Sequence, residues 1–146
     1  MDLPDGSYIN TFLIRAQDSP EGDLVKEPPL ILLHGFAAGK STWAPTLKQL
    51  ASSSKGRRDI YAIDLPGVGC SCTFLRTHEK EWTTILAGDG SIMTRDHVEH
   101  AQKLSAKALK YYTESLHAWT KVMNLDRVII LGHSLGEFGN SVLLDP

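Results

Sequence analysis

Gly132-His133-Ser134-Leu135-Gly136 fits the pattern G-x-S-x-G, and it directly follows the apolar run Val128-Ile129-Ile130-Leu131. A serine that attacks a carbonyl carbon must protrude from a tight turn between a strand and a helix. The backbone there is crowded, so only small residues fit two positions to either side. Gly132 and Gly136 occupy those positions, which makes Ser134 the candidate nucleophile. Backbone N–H groups at the start of the next helix are then placed to receive the charge that develops on the carbonyl oxygen. The competing reading is a serine in an ordinary glycine-rich turn, and the strand in front of it argues against that.

A second cluster, His34-Gly35-Phe36, follows the apolar run Leu30–Leu33. His34 by itself reads as a structural loop histidine rather than a catalyst. The stretch from Gly35 to Ser41, G-F-A-A-G-K-S, imitates a phosphate-binding loop. That loop requires four residues between its glycines, whereas three separate Gly35 from Gly39, and His34 stands where the first glycine belongs. Asp64-Leu65-Pro66-Gly67 imitates the D-x-x-G of GTPases, so a nucleotide binder is a minor alternative. Gly67-Val68-Gly69 is a weaker imitation of a dinucleotide fingerprint, with Cys72 where a third small residue belongs. His97 and His100 lie three apart on one helical face, but two ligands without a third make a poor metal site. Cys70 and Cys72 are one residue apart and cannot join distant segments, which favours a reducing compartment and inert side chains.

The elements that must hold these residues alternate. Tyr8–Ile14 reads as an edge strand, and Leu30–Leu33 and Asp59–Ile63 as strands buried on both faces. Ser41 or Thr42 is placed to cap a helix through about Ala51, with Trp43, Leu47 and Leu50 on one face. From Arg95 to Met123 there is neither Gly nor Pro, and Val98, Ala101, Leu104, Ala108, Leu109, Tyr112, Leu116, Trp119 and Met123 recur at steps near three and four. One long amphipathic helix or two in sequence are expected, with those positions toward the core and the charged residues in solvent. Arg127–Leu131 reads as a third buried strand and Val142–Pro146 as a fourth. Strands alternating with helices imply an α/β fold with a largely parallel sheet.

Composition bounds the function. The chain has 146 residues, 15 Lys+Arg against 17 Asp+Glu, and 42% hydrophobic residues. That fits a single globular unit and neither a disordered chain nor a basic nucleic-acid binder. No apolar run approaches the ~18–20 residues of a membrane span. The acidic start, Met-Asp-Leu-Pro-Asp-Gly, lacks the layout of a secretion signal, so a cytoplasmic location is expected.

Three blocks together resemble the α/β-hydrolase superfamily: Pro29–Phe36 with its H-G-F, Asp64–Ser71 with D-L-P-G-V-G-C-S, and Val128–Gly136 with G-H-S-L-G. Glu114–Trp119 is similar to its lipid-acting subgroup, the N-acyl phospholipid lipase and triglyceride-lipase-coactivator type. The proline-iminopeptidase-like peptidases share much of the pattern. The resemblance implies a partial α/β-hydrolase fold over 1–146, a mostly parallel sheet flanked by helices, with 72–109 as an insertion. It implies serine-dependent hydrolysis of an ester or amide, with a lipid or other small molecule as substrate. Ser134 would be the nucleophile, and the backbone N–H groups of Phe36 and Leu135 would form the oxyanion hole. It implies no metal or organic cofactor, no nucleic-acid partner, and contact with membranes or lipid droplets at the periphery.

Two departures stand against the family pattern. The family order is serine, acid, histidine, yet the six histidines, at 34, 78, 97, 100, 117 and 133, all precede Ser134. Asp145, at a strand end, reads as structural rather than as the acid. Only residues 135–141 separate the serine from the strand at Val142, fewer than the ten to twelve or so of a parallel crossover. The expectation for these 146 residues alone is therefore an inactive hydrolase, with a non-catalytic remnant or binding module as the rival.

Overall fold

The computed structural model describes residues 1–17, 26–71 and 95–137, the side chains of 95–98 excepted. The expected strand at Val142–Pro146, Cys72, the 72–94 part of the expected insertion and the link beyond Glu137 lie outside the described residues.

Four strands form one sheet: β1 (Thr11–Ile14), β2 (Leu30–Leu33), β3 (Ile60–Ile63) and β4 (Ile129–Gly132), in the order β1-β3-β2-β4. β2 runs parallel to β3 and to β4, and β1 is antiparallel to β3. β1 is an edge strand, as its sequence suggests, and starts at Thr11 rather than Tyr8. Because side chains alternate along a strand, the short apolar runs feed two cores. Ile31 and Leu33 of β2 join Tyr61, Ile63, Leu116 and Trp119 on one face. Leu32, Ile60 and Ala62 join Trp43, Leu47 and Leu50 on the other. β2 and β3 are thus buried on both faces, and each fully buried Leu or Ile contributes about 2 kcal/mol.

The first face is covered by α2 (Arg95–Val122), one continuous helix of 28 residues. Its last turns carry the packing. Trp119 is completely buried, meets Tyr61 edge to face with ring centroids 5.5 Å apart, and donates its indole N–H to Thr11 Oγ1 at 3.1 Å. Leu109 departs from the expected core stripe and is exposed. The charged side of α2 is solvated, with Glu99–Lys103 and Lys110–Glu114 paired one turn apart.

The second face is covered by α1 (Ala44–Ser53), which follows a 3-10 turn over Lys40–Trp43. Ser41 and Thr42 do not cap α1, contrary to the sequence expectation, because they lie inside that turn. The turn's first N–H, that of Lys40, is satisfied instead by the Asp64 carboxylate at 2.7 Å.

β4 also departs from expectation. Its register pairs Ile129 with Leu30 and Leu131 with Leu32, on the face of α1. Ile129 and Leu131 are nonetheless 42% and 41% exposed. Among the described residues β4 pairs on one side only, and α1 lies over the centre of the sheet, so composition that suits a buried strand here meets no covering element.

Candidate active site

β2, β3 and β4 are parallel, so the segments that follow them emerge at one end of the sheet. This is where parallel α/β sheets hold ligands. His34-Gly35-Phe36 leaves β2, Asp64 leaves β3, and His133-Ser134 leaves β4.

The turn after β4 is built by backbone contact. Ser134 has a φ of +54°, a left-handed conformation that costs a non-glycine residue about 1 kcal/mol. A Cβ on Gly132 would fall 2.4 Å from the Gly136 carbonyl oxygen, and one on Gly136 would fall 2.5 Å from that of Leu33. Neither position admits a side chain, and both opposing atoms are backbone. The His133 N–H donates to the Leu33 carbonyl at 3.0 Å, and the Gly136 N–H to the His133 carbonyl at 3.0 Å. The chain continues from Ser134 to Glu137 as a 3-10 turn. Ser134 is exposed.

Gly35 closes the gap between the two loops. A Cβ there would lie 2.9 Å from His133 Nδ1 and 3.2 Å from Ser134 Cβ. The structure therefore brings four of the five residues singled out in the sequence, Gly132, Ser134, Leu135 and Gly136, against the loop that carries the fifth, Phe36. No acceptor among the described residues takes the Phe36 N–H. Phe36 is 83% exposed.

His34 is a structural histidine, as its context suggests. It is completely buried, accepts the Leu65 N–H on Nε2 at 2.9 Å, and contacts the Gly35 carbonyl through Nδ1 at 2.8 Å.

The residue that sequence reasoning undervalued is Asp64. Its Oδ1 accepts the Lys40 N–H at 2.7 Å, and its Oδ2 accepts Asn10 Nδ2 at 2.8 Å, Lys40 Nζ at 3.0 Å and the Cys70 N–H at 3.2 Å. Burial disfavours its charge, but these donors outweigh burial and hold its pKa at about 2. Ser71 extends the tie: its hydroxyl donates to the Asp64 carbonyl at 2.7 Å and accepts the Asn10 N–H at 2.9 Å. Asp64 thus fastens segments near residues 10, 40 and 70 beneath the site. The lysine that a phosphate-binding loop would offer is committed to Asp64, and Gly35 packs on the elbow, so the geometry gives the nucleotide reading no support. Beside this tie a cleft of about 710 Å³ opens between α1 and β1, lined by Phe12, Leu47, Ala62, Lys40 and Cys70 among others. Ser134 is not among its lining residues.

Of the two histidines weighed as metal ligands, His100 is exposed, and the side chain of His97 is outside the described set. No described helix is long and apolar enough to cross a membrane.

Comparison with known proteins places this geometry. A family model described as "Alpha/beta hydrolase family" matches residues 30–144. The 1-acylglycerol-3-phosphate O-acyltransferase ABHD5 of Sus scrofa is 32% identical over 110 residues, 75% of this chain and 23% of that protein. The (Lyso)-N-acylphosphatidylethanolamine lipase of Bos taurus is 28% identical over 140 residues, 94% of this chain and 30% of that protein. The chain therefore spans about a quarter of the length of the curated relatives it matches. Among solved structures, the esterase EaEST of Exiguobacterium antarcticum superposes with a TM-score of 0.59 at 16% identity, covering 99% of this chain and 39% of that one. The proline iminopeptidase of Mycobacterium smegmatis gives 0.58 at 18% identity, covering 97% and 38%. The order β1-β3-β2-β4, the glycine-walled turn after β4 and the match over 30–144 agree: the chain belongs to the alpha/beta hydrolase family.

Proposed function

We propose that this chain is the nucleophile-bearing part of a serine hydrolase that cleaves ester or amide bonds in lipids. The observation that carries the reading is Ser134, held at φ +54° between two glycines that admit no Cβ, with Gly35 pressed against it. A strained, non-glycine residue in such a turn is retained where its side chain does chemistry. In the proposed mechanism Ser134 Oγ attacks the acyl carbonyl and its proton passes to a base. The oxyanion of the tetrahedral intermediate is received by the N–H groups of Phe36 and Leu135. The intermediate collapses to an acyl-serine and releases the alcohol or amine, and water then frees the acid. Lipid as substrate is supported by the relatives, whose names specify an acylglycerol phosphate and an N-acylphosphatidylethanolamine. The exposed Phe36 beside the elbow suits a site that meets an acyl chain at a membrane or droplet surface.

All six histidines of these 146 residues precede Ser134, so the mechanism takes the nucleophile and the oxyanion donors from these residues and assigns neither base nor acid to them. That same fact favours the second reading, a non-catalytic binding module. A fluorophosphonate probe applied to the full-length protein separates the two. Labelling that disappears in Ser134→Ala supports an activated serine, and an unlabelled wild-type chain supports the module.

A further inference from the structure

The contacts of His34 bear on the proposed oxyanion hole, and the inference rests on the serine-hydrolase reading above. An N–H that donates into Nε2, as that of Leu65 does at 2.9 Å, requires that nitrogen to carry a lone pair. The ring is then neutral with its proton on Nδ1, and this proton points at the Gly35 carbonyl at 2.8 Å. The Gly35 carbonyl and the Phe36 N–H belong to one planar trans peptide group, so they point in opposite directions. Fixing the carbonyl fixes the N–H. Gly35 is the residue whose missing Cβ brings this peptide against His133 and Ser134.

We propose that His34 is a positioning residue: its Nδ1–H pins the Gly35–Phe36 peptide so that the Phe36 N–H is aimed at the oxyanion, and its Nε2 ties that peptide to Leu65 after β3. A donor on the carbonyl also polarises the amide and strengthens the same group's N–H as a donor. The Ala38 N–H, at 3.3 Å, is a second and longer contact to the Gly35 oxygen, so the imidazole supplies the shorter restraint. The ring is completely buried, so its tautomer is set by Leu65 and Gly35 rather than by solvent.

The test divides the two ends of the ring. In His34→Asn the amide nitrogen occupies the place of Nδ1 and keeps the bond to Gly35. In His34→Gln the amide reaches the place of Nε2 and keeps the bond to Leu65 alone. A long-range ¹H–¹⁵N spectrum of the wild-type full chain is expected to show a neutral Nδ1–H imidazole. An Nε2–H or doubly protonated ring overturns the proposal without any variant. The Phe36 amide resonance is expected at its wild-type place in His34→Asn and displaced in His34→Gln. Fluorophosphonate labelling of Ser134 is expected to be at least about tenfold slower in His34→Gln than in His34→Asn, the scale on which oxyanion donors act. Equal rates, or equal displacement of the Phe36 resonance in both variants, overturn it. If the wild type is not labelled at all, the hydrolase reading fails, and the Phe36 resonance still decides whether His34 aims that peptide.

Discussion

Replacing Asp64 by asparagine removes one charge and turns one acceptor into a donor. In the better of its two orientations the amide oxygen faces Asn10, Cys70 and the Lys40 ammonium, and the amide NH₂ then faces the Lys40 backbone N–H, which now sits 2.7 Å from a carboxylate oxygen. The ionic part of the loss follows from the pKa. Folding lowers it from 3.8 to about 2, which corresponds to about 2.5 kcal/mol at neutral pH. The sign is that of a depressed carboxylate: the stabilisation is complete above the unfolded value and is lost as pH falls from about 4 to 2. An opposed, unsatisfied N–H adds about 1–2 kcal/mol. Asp64→Asn should therefore cost about 3–5 kcal/mol at pH 6, and the gap to the wild type should shrink by about 2 kcal/mol near pH 2. Urea unfolding followed by the fluorescence of Trp43 and Trp119 measures both, at protein concentrations low enough to keep chains from pairing through β4. A loss under about 1 kcal/mol at pH 6, or a gap that does not change with pH, would refute the claim that Asp64 is held ionised by these donors.

Three further outcomes are expected. Gly136→Ala places a Cβ 2.5 Å from a strand carbonyl and Gly35→Ala places one 2.9 Å from a side-chain nitrogen, so the first should destabilise by about 3 kcal/mol or more and the second by less, read from denaturation midpoints. Ser134→Gly should raise stability by about 1 kcal/mol by relieving the positive φ, while abolishing any fluorophosphonate labelling; a lower melting temperature argues against stored strain. Ile129→Lys with Leu131→Lys should shift the 146-residue chain toward monomer in size-exclusion chromatography with light scattering, because the two side chains form an exposed apolar stripe on a strand that, among the described residues, pairs on one side only. A wild-type chain that is already monodisperse removes the basis for that expectation.

What the sequence made legible is what neighbours along the chain determine. The runs Leu30–Leu33 and Ile60–Ile63 announce strands because their residues are apolar over a strand's length, and α2 announces itself by spacing and by the lack of Gly and Pro. The elbow is legible because its constraint acts between Gly132 and Gly136, four positions apart. The Asp64 tie is not, since its partners Asn10 and Lys40 lie 54 and 24 positions away and none has a local pattern. The 3-10 turn at Lys40–Trp43 has no local signature for the same reason: its N–H acceptor comes from the end of another strand. Exposure of Ile129 and Leu131 depends on which element lies over β4, and apolar composition alone does not reveal that. His34 was legible as a loop histidine, but its tautomer requires the position of Leu65.

The contact of Gly136 with the Leu33 carbonyl joins the two loops backbone to backbone, and Gly35 adds the His133 carbonyl beside the side chains of His133 and Ser134. Such a joint is indifferent to the side chains around it. Phe36, which is exposed, can be exchanged without disturbing the Gly136–Leu33 joint, and under the proposed function that leaves the serine in place relative to the N–H groups assigned to the oxyanion. Diversification of substrate is thereby separated from preservation of mechanism. A library that randomises the exposed loop positions and leaves Gly35, Gly132 and Gly136 untouched explores new acyl groups from a fixed reactive frame.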